Sequence, residues 1–339
     1  MYIHPAIANA YKIMDGVGIS FGEALALTTI EGEDILDLVS LANKARVKFA
    51  AEIAPCSIIN AKSGACDQNC RFCAQANAHE TGAEIYALLP LEKILEGARE
   101  AHENGARAYG IVTSGRGYET PNAEFKRILE ALDAIAAEFP NLGRCVSLGI
   151  LSDECARLLA EHGAQRYNMN LQTAPERYAE FITDKHSIGE KLRTIKRLRE
   201  LGVSVCCGGI LGLGESWTDR VRLAFACKES GADGIPLNVL LPIKGTALEG
   251  QTLMNAADTA KAFSLFRLVN PSAMIKFAAG RETVMKDFQG LLMLAGMNSM
   301  ITGGYLTTRG RGAEDDRVFI AGLAGFGHKK RPSEKVTTL

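Results

Sequence analysis

The chain has 339 residues, 47% of them hydrophobic, and a formal net charge of −1 at pH 7. This composition suffices for a large core, and the near-neutral charge gives no electrostatic footprint for nucleic acid or an anionic membrane. No apolar run approaches the roughly 20 residues that a membrane-spanning helix needs, and no signal peptide is evident. Nine cysteines without export signals indicate a reducing compartment, where thiols serve metals or chemistry. We therefore expect a cytoplasmic enzyme.

The first 51 residues predict helices, because start signals near Ser20 and Glu33 precede apolar residues at helical spacing. From Cys56 onward, short apolar runs alternate with amphipathic stretches. The candidate strands that follow are Ala106–Thr113, Arg144–Leu148, Arg166–Leu171, Val203–Cys207, Gly234–Leu240, Ala273–Phe277 and Ser299–Ile301. About eight such units favour a closed (β/α)8 barrel, since each crossover helix returns the chain for another parallel pairing.

Three segments follow from this pattern. We expect an N-terminal helical extension over residues 1–51, the barrel over 52–308 and a C-terminal segment over 309–339. The basic run Lys329-Lys330-Arg331 lies in the tail of the last segment. Charged chain termini are usually solvated, so this tail is expected to be mobile.

Three cysteines share one short loop after the first candidate strand. Cys66, Cys70 and Cys73 are spaced C-x3-C-x2-C, and Phe72 precedes the last of them. Three thiolates leave one iron of an iron–sulfur cluster without a protein ligand, so a substrate or cofactor can bind there. Structural zinc is the alternative, although zinc usually takes four ligands in spaced pairs, and only Cys56 could supply the fourth. A disulfide framework is disfavoured, since a chain of this size needs none.

The cysteine loop resembles that of the radical S-adenosylmethionine (SAM) superfamily. In that superfamily the three-cysteine loop holds a 4Fe-4S cluster whose fourth iron binds SAM. The resemblance implies the same cofactors for Cys66, Cys70 and Cys73.

Polar or sulfur side chains lie on most of the other candidate strands. They are Tyr109, Cys145, Asn168, Asn170, Cys206, Cys207, Asn238 and, just after the seventh strand, Arg281. Taken singly, each is better explained as an ordinary buried residue, since free cysteine often behaves as a small hydrophobe. Barrel active sites, however, lie at the C-terminal ends of the strands. Together with the cysteine loop, these residues predict convergence on one cavity.

Several longer stretches resemble the biotin synthase family within that superfamily. They are Cys56–Gly64, Tyr167–Leu171, Gly208–Glu215, Lys244–Thr246 and Ala279–Glu282. The resemblance covers roughly residues 51–306. It implies a homodimeric enzyme that converts dethiobiotin to biotin and takes electrons from a flavodoxin- or ferredoxin-type donor.

The resemblance also implies roles for single residues. Those near SAM would be Phe72, Asn170, Gln172, Gly208, Ile210, Gly212 and Glu215. Those that hydrogen-bond the ureido ring of the substrate would be Asn168, Asn170 and Asn238. Amides suit this ring because they both donate and accept hydrogen bonds. Gln172 stands where the family usually has an acidic residue, and a neutral amide gives a weaker ribose contact.

A second cluster supplies the sulfur in this family, a 2Fe-2S cluster held by three cysteines and an arginine. Cys145, Cys206 and Arg281 match three of those positions, while Tyr109 stands at the fourth and Cys207 is an additional cysteine. We hypothesise that Cys145, Cys206 and Cys207 bind an auxiliary cluster of cubane type with an extra sulfide.

This hypothesis makes Arg281, Cys206 and Cys207 the candidate catalytic residues. Adjacent residues of a regular strand point to opposite faces, so both cysteines can serve only if the strand kinks at Gly208-Gly209. The alternative is that Cys207 packs against a helix, as Cys155 and Cys227 are expected to do.

Two other functions are possible. One is a radical SAM enzyme on the same barrel that acts on a different small molecule. Loss of the second-strand cysteine favours it, whereas Asn168, Asn170, Asn238 and Arg281 argue against it. The other is a non-catalytic iron–sulfur protein for electron transfer. The Gly208–Glu215 stretch argues against that, because an electron carrier needs no SAM pocket.

Overall fold

A ring of parallel strands organises the chain in the computed structural model, which describes residues 2–303 and 312–327. The strands are β1 (Cys56–Lys62), β2 (Ala108–Thr113), β3 (Gly117–Tyr118), β4 (Gly143–Ser147), β5 (Ile150–Leu151), β6 (Arg166–Asn168), β7 (Ser204–Cys206), β8 (Gly209–Leu211), β9 (Gly234–Val239), β10 (Met274–Phe277) and β11 (Ser299–Met300). The ring order is β1-β2-β4-β6-β7-β9-β10-β11, and β8 also pairs with β9.

The ring closes between its last and first strands. Ile301 forms a parallel bridge to Cys56, and the Thr302 amide donates to the Cys56 carbonyl at 2.9 Å. Eight parallel strands with intervening helices form a (β/α)8 barrel, which confirms the predicted fold class.

Helices cover the outside of the ring. They are α1 (Pro5–Ala10), α2 (Phe21–Leu27), α3 (Asp34–Phe49), α4 (Leu91–Glu103), α5 (Ala123–Glu138), α6 (Asp153–Glu161), α7 (Tyr178–Phe181), α8 (Ile188–Glu200), α9 (Trp217–Glu229), α10 (Ala256–Val269), α11 (Arg281–Met285), α12 (Gln289–Leu294) and α13 (Ala313–Gly322). A serine N-cap with an acidic residue three positions later begins α2, α8 and α9. This capping box satisfies amide groups that the first helical turn leaves unpaired.

The N-terminal helices share one core with the barrel. Ile7, Leu27 and Leu38 belong to the same buried apolar cluster as barrel residues, and the Lys261 amino group of α10 donates to the carbonyl of Ile30 at 3.1 Å. The helices predicted over residues 1–51 are present, whereas the segment boundaries at 51/52 and 308/309 stay predictions. No helix of the described residues is long and apolar enough to cross a membrane. The basic run Lys329-Lys330-Arg331 lies outside the described residues.

Two strands are shorter than their apolar runs predict. The strand that begins at Arg166 ends at Asn168, and Gln172 farther on has a positive φ of 72°. The strand that begins at Ser204 stops at Cys206, and pairing resumes at Gly209. At Gly208 the backbone passes so close to β9 that an added Cβ would lie 2.0 Å from the Pro236 carbonyl oxygen. Only glycine permits this approach.

Candidate active site

One cavity of about 310 Å³ occupies the interior of the ring. The predicted site residues that line it are Phe72, Cys73, Cys145, Asn168, Asn170, Gln172, Cys206, Ile210 and Asn238. Phe72 and Cys73 come from the loop after β1, at the carboxyl end of the barrel, whereas Cys145 and Cys206 lie on strands. The cavity therefore joins the cysteine loop to thiols deeper in the ring.

The cysteine loop forms the mouth of this cavity. The Cys73 amide donates to the Cys70 carbonyl at 3.0 Å, and Cys66 exchanges backbone hydrogen bonds with Gln75 and Asn77. Cys66 is buried, and Cys70 and Cys73 are half-buried. Burial is the main cause that raises the pKa of Cys70 to about 12, and the neighbouring thiols Cys73 and Cys66 contribute in the same direction. The three thiols thus form one group.

A segment between β6 and α8 holds this loop in place. The Arg71 amide donates to the Ile182 carbonyl at 2.9 Å. The Asn69 side-chain amide donates to Asp184 Oδ1 at 2.7 Å, and Lys185 Nζ donates to the Asp67 carbonyl at 2.6 Å. Alternate residues of the loop, Asp67, Asn69 and Arg71, are therefore tied to the segment, so these hydrogen bonds alone give the loop a defined position.

His186 continues this segment as a neutral, doubly hydrogen-bonded side chain. Its Nδ1 lies 2.8 Å from Gln68 Oε1, and its Nε2 lies 2.8 Å from the Tyr178 hydroxyl. Burial is the main cause that lowers the pKa of His186 to about 4. Because Gln68 Oε1 can only accept, Nδ1 carries the proton and Nε2 accepts from Tyr178. His186 is thus a support of the cysteine loop.

Lys191, which the sequence pattern did not single out, places a buried cation beside the loop. Its Nζ donates to the Asn170 carbonyl at 2.9 Å and lies 5.2 Å from the centre of the Tyr178 ring. Burial is the main cause that lowers the pKa of Lys191 to about 8, and Cys70 opposes this by raising it. Among the described residues, no salt bridge pairs Lys191 with a carboxylate, so an anionic group of a ligand can take that place.

Side-chain amides occupy the middle of the cavity. Asn168 Nδ2 lies 3.4 Å from Ser147 Oγ, and Asn170 Oδ1 accepts from the Gly208 amide at 3.2 Å. Asn238 donates to the Gly209 carbonyl at 3.2 Å and accepts from the Ala279 amide at 3.0 Å. Backbone contacts thus fix the orientation of Asn170 and Asn238, a side-chain contact orients Asn168, and further donors remain for a ligand.

Gln172 presents an unpaired acceptor to the same cavity. Its backbone bridges to Gly209, and its Oε1 atom is buried without a hydrogen-bond partner in the described structure. An unpaired buried acceptor is costly. A ligand hydroxyl or amine that reaches this atom would therefore be stabilised.

The glycine-rich stretch contributes mainly backbone shape. Of Gly208, Ile210, Gly212 and Glu215, only Ile210 lines the cavity. Glu215 Oε1 accepts from the Gly212 amide at 2.9 Å and from Arg220 Nε at 2.6 Å. Gly208, Gly212 and Glu215 do not line the cavity, so their contacts with a cofactor stay predictions.

Comparison with known proteins identifies the family. A model of the radical SAM superfamily matches residues 61–227, and a model of the biotin and thiamin synthesis associated domain matches residues 236–324. A biotin synthase from Chlorobium phaeovibrioides is 52% identical over 96% of this chain and 98% of its own length. One from Pelodictyon phaeoclathratiforme is 49% identical over 96% of this chain and 98% of its own.

The chain belongs to the biotin synthase family. It is thereby a radical SAM enzyme, for which a 4Fe-4S cluster and SAM are the cofactors. Among solved structures, methylornithine synthase has the same fold, with a TM-score of 0.78 and 19% identity over 92% of this chain and 96% of its own.

The cysteine loop fits the cluster of this family. In residues 2–303 and 312–327, no three Cys, His, Asp or Glu side chains stand close enough together to hold one metal ion. A cubane cluster spreads its irons apart, so its thiolates need not meet at one point. Three thiols on one braced loop, half-open to a cavity, suit such a cluster and the cofactor beside it.

Two family-implied assignments do not agree with the placement of the side chains. Cys207 is fully buried and hydrogen-bonds Cys227 of α9, which raises the pKa of Cys227. Arg281 begins α11, is 1% exposed and pairs with Asp316 Oδ1 at 2.9 Å. Neither lines the cavity. Strand β7 ends at Cys206, but this end does not turn the Cys207 side chain toward the cavity. Arg281 is the first residue of α11, and its side chain points away from the cavity.

Tyr109, predicted at the second-strand ligand position, does not face the cavity either. Tyr109 points out of the ring, where its hydroxyl donates to the Ile94 carbonyl of α4 at 3.0 Å. Because side chains alternate along a strand, its neighbour Gly110 faces the cavity, paired with Ile58 of β1 and Cys145 of β4. The position beside Cys145 is therefore a glycine.

Three further residues line the cavity, of which only Cys56 had an assigned role in the sequence analysis, as a possible fourth ligand of structural zinc. Cys56, Arg166 and Lys276 all line the deep part of the cavity. Cys56 and Arg166 each lie at the start of a strand. Lys276 lies in the middle of the apolar run of β10, and a lysine at such a position is the one signal that could have revealed it.

Proposed function

We propose that this chain converts dethiobiotin to biotin inside the ring, by radical SAM chemistry at its mouth and sulfur transfer from its depth. The observation that supports this is the single cavity that joins the cysteine loop, the amides and the thiols of Cys145 and Cys206. An electron carrier needs no such enclosed space.

Cys66, Cys70 and Cys73 would hold the 4Fe-4S cluster. Together with SAM, this cluster would supply radical chemistry after one-electron reduction by a flavodoxin- or ferredoxin-type donor. Phe72 packs with the apolar cluster around Ile210 and Leu240, a surface suited to adenine. Lys191 offers its charge to the carboxylate of SAM, and Gln172 offers its unpaired oxygen to a ribose hydroxyl.

The amides position the substrate. Asn168, Asn170 and Asn238 would hydrogen-bond the ureido ring, which carries both donors and an acceptor. Since hydrogen bonds within the protein already orient these side chains, little conformational freedom is lost on binding. Holding the reacting carbons in a fixed orientation supplies a large share of the rate enhancement. Apolar side chains such as Val112, Val146 and Ile210 exclude water from the radical.

An auxiliary iron–sulfur cluster at the deep end of the cavity would be the sulfur source. A homodimer and a cytoplasmic location complete the proposal, and both follow from the family resemblance and the cysteine content alone.

Anaerobic incubation of reconstituted protein with SAM, a strong reductant and dethiobiotin tests the proposal. We expect biotin and 5′-deoxyadenosine as products. Deoxyadenosine without biotin would mean that the enzyme cleaves SAM but acts on a small molecule other than dethiobiotin. If neither product forms in protein with a full complement of iron, the chain is not a radical enzyme.

A further inference from the structure

Three thiols from three separate strands line the deep end of the cavity. Cys56 begins β1, Cys145 lies within β4 and Cys206 ends β7, and all three line the same space. They form one group, which we name the deep thiols.

Glycines on the neighbouring strands give the deep thiols room. Gly110 lies between Ile58 and Cys145, and an added Cβ there would be 3.7 Å from the Cys145 Cβ. At Gly234 an added Cβ would be 2.7 Å from Cys206 Sγ, a collision that only glycine avoids. Cys56, Cys145 and Arg166 also line a second cavity of about 430 Å³. The space around these sulfurs is therefore larger than the thiols themselves require.

Two cations face the deep thiols. Lys276 is buried and hydrogen-bonds the sulfur of Cys56. Arg166 Nε is buried without a hydrogen-bond partner in the described structure. Carboxylates would be the usual partners of buried cations, yet thiols occupy this position. The arrangement suits a group of negative charge that carries several acceptor sulfurs.

We propose that Cys56, Cys145 and Cys206 are the thiolate ligands of the auxiliary cluster, and that Lys276 and Arg166 donate hydrogen bonds to its sulfides without ligating iron. This inference rests on the proposed function and replaces Cys207 and Arg281 as candidates. The second strand has Gly110 at its inward position and so offers no thiol. Cys56 of the first strand supplies that ligand instead.

The number of thiolates bears on the type of cluster. A 2Fe-2S cluster normally takes four protein ligands, and the deep thiols offer three. A protonated amino group has three donors and no free lone pair, so Lys276 can donate to sulfide but cannot ligate iron. Three thiolates match a cubane cluster with one open iron, which is free to hold the sulfur that leaves.

Iron binding in a chain without the mouth cysteines tests the ligand set. The background carries Cys66→Ala, Cys70→Ala and Cys73→Ala, so that retained iron reports the deep site alone. We expect about four irons per chain in this background. We then add one of three further changes: Cys56→Ala, Cys145→Ala or Cys206→Ala. Each should remove more than about half of the iron and acid-labile sulfide. Loss of a residue that only supports a ligand lowers metal affinity about 10–100-fold, and loss of the ligand itself should lower it at least as much.

Cys207→Ala in the same background is the matched control, since it changes an adjacent buried cysteine. It should retain the iron and the Mössbauer spectrum of the background. Circular dichroism shows whether each variant folds, and Cys56→Ser keeps the side-chain volume where alanine does not fold. Full iron in the folded Cys56 variants, or loss of iron in Cys207→Ala alone, overturns the ligand set. A two-iron Mössbauer spectrum overturns the cubane assignment.

The role of Lys276 is tested by the reduction potential of the deep cluster. Lys276→Met removes the charge at similar length, so the more negative reduced cluster loses a stabilising partner and its potential should fall. Lys276→Arg should restore the potential. An unchanged potential in Lys276→Met contradicts the proposed contact. A background without any iron overturns this inference, whereas the proposed function falls only if the unaltered chain makes no biotin.

Discussion

The mouth and the deep end of the cavity hold thiols in different ways. At the mouth, Cys66, Cys70 and Cys73 come from eight consecutive residues, and loop contacts position them. At the deep end, Cys56, Cys145 and Cys206 come from three strands far apart in sequence. The loop can be recognised from spacing alone, whereas the deep thiols exist only once the ring has closed. Local motifs are therefore easier to identify than sites assembled by topology.

The alternation of side chains explains why the sequence does not predict which residues of the deep strands face the cavity. A shift of one residue along a strand moves a side chain from the interior to the exterior of the ring. Tyr109 stands beside the inward Gly110, and Cys207 beside the inward Cys206. Sequence similarity locates such a strand well, but the inward positions depend on the register.

Removal of one mouth thiol gives the largest expected effect. Cys70→Ala should reduce 5′-deoxyadenosine formation to the background of the assay, since SAM cleavage needs the cluster that this loop holds. Liquid chromatography of an anaerobic reaction with SAM and reductant measures it. The matched control is Cys155→Ala, a buried cysteine on α6, which should still cleave SAM. Full cleavage by Cys70→Ala would show that the mouth is not the radical site.

The next largest effect is on stability and comes from Glu215, in the glycine-rich stretch behind the cavity. Glu215→Ala should lower the free energy of unfolding by about 3–5 kcal/mol, because Arg220, only 11% exposed, loses its partner. Urea denaturation measures the change.

Glu138→Ala breaks the exposed pair with Arg99 and is the control, with an expected cost below about 1 kcal/mol. Equal costs for the two variants would mean that Glu215 does not support the fold, and its family-implied contact with SAM would then be the better account.

A smaller effect is expected from loss of His186, which supports the mouth cysteines and not the deep thiols. His186→Ala removes the hydrogen bonds to Gln68 and Tyr178, so the mouth cluster should bind iron about 10–100-fold more weakly. Iron retention against a chelator, in a chain with Cys145→Ala and Cys206→Ala, measures the mouth alone. His162→Ala, which changes a histidine paired with Asp133 on the surface, should behave like its parent. Equal retention by both histidine variants would refute the support.

Cys207→Ala should have the smallest effect. Loss of one buried sulfur that contacts Cys227 costs about 1 kcal/mol of stability, and biotin formation should stay near that of the unaltered chain. Thermal unfolding and the biotin assay measure the two quantities. A loss of biotin formation in folded protein would restore Cys207 to the site.

Much of the fold and part of the site could be predicted from the sequence. Alternating apolar runs and amphipathic stretches gave the barrel, and the cysteine spacing gave the mouth. The opposite placements of Lys276 and Arg281 could not be predicted, because Lys276 belongs to β10 and Arg281 begins α11 after a short turn. Only the turn between this strand and helix decides that the lysine faces inward while the arginine pairs with Asp316.

The central claim is that sulfur held by this chain enters the product. Clusters assembled with heavy-isotope sulfide, followed by one anaerobic turnover with SAM, reductant and dethiobiotin, test it by mass spectrometry of the biotin formed. The account predicts biotin that carries the heavy isotope. Biotin with sulfur of natural isotopic composition would contradict it.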